Sequence, residues 1–489
     1  MALINISKLT FAYDGSYDYI FKNVSFQIDT DWKLGFCGRN GCGKTTFLKL
    51  LTGKYEYGGT ITASVNFDYF PLEVTDKQEY TLCVLEKVAP KVELWQIQKE
   101  LSQLALSEDI LYRPFSTLSS GEQTKVLLAG LFLRENNFLL IDEPTNHLDM
   151  ASRRIVARYL NGKAGFILVS HDRAFLDECV DHVLSINKCN IEIISGNYSV
   201  WAEQKARQDA FELAENKKLK GEISRLNRAA KRKSDWSHEA EREKIGQGSV
   251  DRGFIGHKAA KVMKTAKAIE KRQANAIEEK SKLLKNIEEV QDLKIHHLKH
   301  HANRLIELSE VAVFYGGREV LQNFNLTLEQ GERIALEGGN GTGKSSILKL
   351  ICGVDISNTG RVNIAGGLKI SYVPQDPSTL AGSLSEYAAR QKIDETLFKS
   401  ILRKLDFSRI QFQKDMQMFS AGQKKKVLIA RSLCEQAHVY VWDEPLNYID
   451  ILSRGQIESL ILTHKPTMIF VEHDKTFYSA VATQSVKLD

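Results

Sequence analysis

The chain has 489 residues, 43% of them hydrophobic and 26% charged, with a net charge of +5. That length exceeds what one hydrophobic core serves, so two or three domains are expected, and no stretch approaches the roughly 18 uninterrupted apolar residues of a membrane span. Seven cysteines without a C-x-x-C pair suit a reducing cytoplasm and argue against structural zinc.

The first residues, Met1–Lys8, read as a strand and not as a secretion signal. Strand-like alternation over Leu9–Tyr13 and Val24–Ile28 precedes a hydrophobic strand, Leu34–Cys37, which feeds a loop of the form G-x-x-x-x-G-K-[ST] over Gly38–Thr45. A helix-like run, Thr45–Leu51, follows. A glycine loop ahead of a helix aims several backbone N–H groups at one point, and the helix dipole adds positive charge there. Gly41 and Gly43 let the backbone curl around phosphates where a side chain would collide. Lys44 puts a cation on the β- and γ-phosphates, and Thr45 offers a hydroxyl to Mg²⁺. Asp142, closing the buried strand Phe138–Ile141, holds that ion's hydration shell. Glu143 comes next, where a carboxylate can activate the attacking water. His171 ends another apolar strand and is placed to contact the γ-phosphate. Cys42, at the helix N-terminus, is expected to have a lowered pKa.

From about Tyr198 to Leu293 the pattern changes. All eight prolines lie outside residues 145–373, and apolar residues recur at helical spacing in Leu219, Ile223, Leu226 and Ala230, then in Ile277, Leu284, Ile287 and Val290. Gly246, Gly248, Gly253 and Gly256 fall between these arms, which predicts an antiparallel helical hairpin reversing at 245–257. Arms of about 40 residues would extend on the order of 60 Å. Residues 203–285 hold 22 Lys+Arg against 13 Asp+Glu, an excess of nine that leaves the rest of the chain at −4. Such an insert is either the footprint of a polyanionic partner or a solvated helix surface. At the reversal, Lys244, Arg252, Phe254, Ile255 and His257 could reach an RNA cleft; equally, Phe254 and Ile255 could cap the hairpin's own core.

The cassette then returns. Leu305–Tyr315 and Phe324–Leu328 alternate, Ile334–Leu336 feeds Gly338–Ser345, and Ser345–Ile351 is helix-like. Lys344, Ser345, Asp443, Glu444 and His473 repeat Lys44, Thr45, Asp142, Glu143 and His171; lysine and glutamate are 99 residues apart in the first copy and 100 in the second. Strands alternating with helices imply an α/β fold with a mainly parallel sheet and its ligand site at the strands' C-terminal edge. The expected domains are 1–198, 199–302 and 303–489.

Each copy also carries a Ser-x-Gly segment, Ser119-Ser120-Gly121-Glu122-Gln123 and Ser420-Ala421-Gly422-Gln423. With the Asp-Glu-Pro strands and the strand-end histidines, these segments resemble the nucleotide-binding domains of the ATP-binding cassette (ABC) superfamily of P-loop NTPases, over about 1–200 and 303–489. The resemblance implies two domains meeting head to tail around two ATP molecules. Lys44 would then share a site with Ser420 and Gly422, and Lys344 with Ser119 and Gly121. It implies nucleotide contacts at Gly38, Asn40, Thr46, Gly338, Asn340, Gly341, Gly343, Ser346 and Gln423, and adenine stacking on Tyr13 and Tyr315, for which a core aromatic is the alternative. The family's Mg²⁺-ligating glutamine is matched by Gln375, but Leu72 stands at that place in the first copy. Unequal sites are therefore expected, with the slower turnover at Lys44.

The order cassette, helical hairpin, cassette resembles the ABC-F family of ribosome-associated factors, with His171-Asp172-Arg173 and Gly196-Asn197-Tyr198-Ser199 as further points of likeness. The resemblance implies a cytoplasmic ATPase, active as a monomer through intramolecular cassette pairing and needing no membrane or transmembrane partner. Its partners would be the 70S ribosome, through the 50S subunit and 23S rRNA, and the P-site tRNA. Lysine and the signature glycine are 77 residues apart in the first copy and 78 in the second, so no arm insertion is expected, and only 16 residues follow His473. This plan looks like the antibiotic-resistance, Lsa/Vga-like branch, which protects against lincosamides, pleuromutilins and streptogramin A. A housekeeping ABC-F factor and a DNA-associated ATPase are the alternatives.

Overall fold

Uninterrupted apolar runs such as Phe138–Ile141 and Phe166–Val169 can be used only by strands covered on both faces. In a computed structural model that describes residues 2–13, 19–135, 137–187, 190–242 and 293–488, these runs lie inside a six-stranded sheet. Its order is Asn66–Phe70, Asn137–Asp142, Phe166–Val169, Lys33–Cys37, His182–Asn187 and Asn190–Ser195. All neighbours are parallel except the last pair. A second, antiparallel sheet has Leu3–Phe11 between Phe21–Asp29 and Gly58–Thr62. Phe47, from the helix Lys44–Leu51, packs edge-on against Phe21 and Phe36 and joins the two sheets in one core.

The second cassette repeats the plan with five parallel strands in the order Ile370–Val373, Val439–Asp443, Met468–Val471, Arg333–Glu337 and Gln484–Lys487. Its antiparallel sheet joins Arg318–Glu329, Arg304–Tyr315 and Asn358–Ile364. The helices Leu384–Arg390, Glu395–Lys404 and Ala421–Cys434 contribute Leu384, Phe398 and Val427 to a core around Trp442 and Phe470. Both copies thus show the α/β architecture expected of them. The strands and helices bearing the motifs lie within two residues of the predicted bounds, because buried strands and a glycine-led helix carry the strongest local signals.

Between the cassettes, Tyr198–Arg242 is a single helix of 45 residues. It is rich in good helix formers and carries i,i+4 ion pairs, Glu203 with Arg207 and Lys205 with Asp209. Ala202–Glu289 is one compact unit; Met1–Trp201 with Val290–Asp489 is the other. The expected reversal at 245–257, the return arm and the tip residues Lys244, Arg252, Phe254, Ile255 and His257 lie outside the described residues. Among the described residues, no helix is long and apolar enough to cross a membrane.

Trp442 is fully buried and its indole N–H donates to Ser432 Oγ at 3.0 Å. Trp442→Ala is expected to cost the second cassette about 3–5 kcal/mol through the cavity it leaves. Ser432→Ala, which orphans the indole N–H, should cost about 1–3 kcal/mol. Both should appear as lowered urea midpoints at unchanged slope.

Candidate functional site

The two glycine loops lie at the C-terminal ends of Lys33–Cys37 and Arg333–Glu337. Gly43 and Gly343 cap the following helices in the left-handed region, with φ of 103° and 89°, and neither helix start has a side-chain cap. A Cβ on Gly43 would lie 2.4 Å from Ile20 Cγ2, so this position is closed to other residues by both conformation and space. The first-turn N–H groups are left for a ligand, and the cradle suits phosphate oxygens. Lys44 Nζ donates to Gly38 O at 2.8 Å and Arg39 O at 2.9 Å; Lys344 Nζ donates to Gly338 O at 2.8 Å and Gly339 O at 2.6 Å. The Tyr13 hydroxyl is 2.7 Å from Thr46 Oγ1, and that of Tyr315 is 3.1 Å from Ser346 Oγ. Both tyrosines are exposed, at 44% and 47%, which rules out the core-aromatic alternative. Cys42 departs from expectation: burial pushes its thiol up, outweighing Lys44 and the helix N-terminus.

Behind each loop stands a pair of carboxylates. Asp142 Oδ2 accepts from Thr45 Oγ1 at 2.8 Å and from the Tyr69 hydroxyl at 2.9 Å. Asp443 is fully buried; burial pushes its pKa up against the pull of the Ser345 hydroxyl, which lies near the carboxylate but outside full hydrogen-bond geometry, so both oxygens are left without a well-formed bond among the described residues. Buried oxygens without donors are costly, and two of them beside the Ser345 hydroxyl fit a hard cation such as Mg²⁺.

Glu143 and Glu444 both adopt left-handed backbone, φ 52° and 45°, held by N–H bonds to Val169 O and Val471 O. Strain of this kind in a non-glycine residue concentrates at functional sites. Their side chains are treated differently. Gln375 Nε2 donates to Glu444 Oε1 at 2.9 Å, Asn447 donates to Oε2, and His473 Nε2 is 3.5 Å from Oε1. Burial raises Glu444, but His473, Gln375 and Lys425 outweigh it and hold the carboxyl below its usual range. Glu143 has Leu72 where the other site has Gln375. Its Oε1 lacks a hydrogen-bond partner among the described residues, and burial, then Asp142, pushes its pKa to about 8. His171 Nε2 is 3.2 Å away, and burial and Lys44 hold that imidazole well below its usual range, hence neutral.

Ser119 and Ser420 cap the helices Ser120–Phe132 and Ala421–Cys434. Ser420 Oγ accepts from Gln423 N while Gln423 Oε1 accepts from Ser420 N, so Gln423 closes a capping box; Glu122 does the same for Ser119. Gly422 touches the opposite cassette. A Cβ there would lie 2.4 Å from Tyr448 O of its own cassette and 3.0 Å from Asn40 Nδ2 of the opposite one, and Asn40 Nδ2 itself donates to Tyr448 O at 2.8 Å. The second signature thus meets the loop of Lys44. On the other side, Asp149 Oδ2 is 3.9 Å from where a Cβ on Gly339 would be.

Other functional residues carried no early signal. Lys425 is wholly buried, its pKa lowered to about 8 by burial, and its Nζ donates to Pro374 O, Gln375 O and Asp443 O. It ties the segment of Gln375 to the strand of Asp443. Nothing marked it within a Lys-Lys-Lys run. Asp149 and Asp450, which cap the next helices, could have been found by extending the repeat past Pro144 and Pro445.

Residues 21–146 and 321–447 match the ABC transporter family. The ATP-binding protein Uup of Buchnera aphidicola is 27% identical over 505 residues, which span 99% of this chain and 80% of that protein. The ribosome protection protein VmlR of Bacillus subtilis is 26% identical over 488 residues, spanning 98% and 84%. Among solved structures, the archaeal ribosome recycling factor aABCE1, in complex with the stalk protein aP1, superposes with a TM-score of 0.63 at 18% identity, covering 98% of this chain and 87% of that one. At that identity the likeness speaks for the fold.

Gly422→Ala would displace Tyr448 of its own cassette and with it the carbonyl that Asn40 reaches from the other. Overpacking costs about 1–3 kcal/mol, so ATP-driven pairing should weaken by about 5- to 150-fold, seen as a higher ATP concentration for half-maximal turnover. Gly366→Ala, which meets nothing within 4 Å, should behave as native.

Proposed function

The chain belongs to the ABC transporter family, and from that premise we propose that it is an ABC-F factor that binds the ribosome and protects it from antibiotics. That it is an ATPase follows from the two matched cassettes. The carrying observation is the cross-cassette contact of Asn40 with Tyr448 and Gly422 in a chain whose cassettes are joined by a basic helical insert. Intramolecular pairing makes the monomer the working unit, and a cytoplasmic place suits it.

In this reading the glycine loops, Lys44 and Lys344 hold the phosphates, and Tyr13 and Tyr315 stack on adenine. Ser420 with Gly422, and Ser119 with Gly121, close each site from the opposite cassette. Thr45 and Asp142 hold Mg²⁺ in one site; Ser345, Asp443 and Gln375 hold it in the other. The ion supplies charge neutralisation of the phosphates. Glu143 and Glu444 orient the attacking water and accept its proton, while His171 and His473 contact the γ-phosphate. ATP binding draws the cassettes together and hydrolysis lets them part, so nucleotide acts as a conformational timer. The insert, basic along Lys217, Lys218, Lys220, Arg225 and Arg228, tracks RNA phosphates into the tRNA exit site of the 50S subunit. Its tip, Lys244 to His257, shifts the P-site tRNA and clears lincosamide, pleuromutilin or streptogramin A from 23S rRNA. Two facts support this: the likeness to a protein named for ribosome protection and the charge of the insert.

A Glu143→Gln, Glu444→Gln double variant should stay on 70S ribosomes in ATP and co-sediment with them; its absence from the ribosome pellet would sink the proposal. Expression in a sensitive host should raise the growth-limiting concentration of at least one of the three drug classes, whereas no protection would favour a housekeeping factor. The sites should also differ with pH. In Glu444→Gln, turnover rests on Glu143, which is protonated below about pH 8 and accepts a proton only when ionised, so the rate should climb from about pH 7 to 9. In Glu143→Gln it rests on Glu444, held ionised, and should be faster near neutrality and flat over that window.

A further inference from the structure

Past Asp142-Glu143 and Asp443-Glu444 the repeat continues in a way the proposed chemistry leaves unused. Asp149 and Asp450 each cap a helix, and each is followed four residues later by an arginine, Arg153 and Arg454. Arg153 is 9% exposed, and its guanidinium is spent on four acceptors. Three belong to its own cassette: Leu148 O at 3.0 Å from Nε, Thr145 O at 3.1 Å from Nη2, and Asp172 Oδ2 at 2.7 Å from Nη1. The fourth is His473 O of the opposite cassette, 3.0 Å from Nη1. Asp172 directly follows His171. One planar cation therefore grips the strand-end histidine segments of both sites at once.

Arg454 repeats the local half of this arrangement, with Ile449 O at 2.9 Å and Asp474 Oδ2 at 2.9 Å. The cross-cassette ion pairs Arg39 with Asp406 and Arg173 with Glu458 make no such double grip, since each reaches a single carboxylate outside the facing histidine segment. A guanidinium presents its donors in a rigid fork. Motion of either histidine segment must move the arginine or break one of its bonds.

We propose that Arg153 is the positioning residue that couples the two ATP sites, passing the state of the His171 segment to the His473 segment. The proposal rests on the reading of both cassettes as hydrolytic sites. Its cis leg can be cut without disturbing the fold's own capping. Asp172 Oδ1 caps the helix Arg173–Cys179 by accepting from Phe175 N at 3.0 Å, a role asparagine also fills. Asp172→Asn therefore keeps the cap and removes the charge that Arg153 holds.

Phosphate release by the full chain, followed against ATP concentration, tests this. The native protein should show a Hill coefficient above one. Arg153→Lys and Asp172→Asn should each bring it to one, losing an affinity coupling of roughly 5- to 150-fold. Lysine keeps the charge but not the fork, so a role confined to charge balance predicts rescue by Arg153→Lys, and such rescue would overturn the proposal. So would a native coefficient of one, or one that survives both substitutions. Should Arg153→Lys fail to fold, Asp172→Asn decides. Failure of the underlying site assignment would look different: Glu143→Gln and Glu444→Gln would then release phosphate at the native rate.

Discussion

The pairing of the two cassettes turns on one crowded point, where a helix start and a carbonyl of the second cassette meet a side chain from the phosphate loop of the first. Gly422 opens a helix directly against Tyr448 O, and the Asn40 side chain bonds that same carbonyl from the loop ahead of Lys44. No residue with a Cβ fits between them. A glycine in the signature segment is thus a steric requirement for packing that helix start on Tyr448 of its own cassette while Asn40, from the other cassette's loop, bonds the same carbonyl. Asn40, Gly422 and Tyr448 come together there, although more than three hundred residues of chain separate the first from the others.

Around that contact lie buried charges. Arg153 with Asp172, Arg454 with Asp474 and Lys426 with Asp450 are buried ion pairs. Taking such charges out of water costs energy that pairing only partly offsets, so pairs of this kind are poor sources of stability. Their value here is geometric. Each fixes a helix start or a histidine segment to within a hydrogen-bond length, and loss of either partner would leave a buried charge alone. Strain at Glu143 and Glu444 belongs to the same design, since both carboxylates are held in backbone conformations that only a rigid surround maintains.

The two sites share a frame but differ in their wiring. Leu72 in place of a glutamine was legible in the chain, and it leaves Glu143 without the donor that Gln375 gives to Glu444. What could not be read was the reply elsewhere. Tyr69 donates to Asp142, yet among the described residues no tyrosine or other side chain makes a well-formed bond to Asp443; Asn447 and Lys425 brace Glu444 and Gln375 from segments with no motif of their own. Cys42 shows the limit of local argument: a helix N-terminus favours the thiolate, but burial decides.

Glycine loops, carboxylate-ended strands and strand-end histidines were visible because each is a local demand on the chain. A glycine where φ must be positive, an apolar run ending on a carboxylate and a helix-forming stretch free of proline are all written in consecutive residues. The doubling of the set, and the basic insert between its copies, were equally plain. Pairing across the cassettes was not. Which carbonyl Asn40 meets, which lysine is buried, and that Arg153 reaches His473 depend on surfaces brought together from distant segments. Periodicity and spacing report the environment of neighbours along the chain, whereas burial, desolvation and hydrogen-bond partners are properties of neighbours in space.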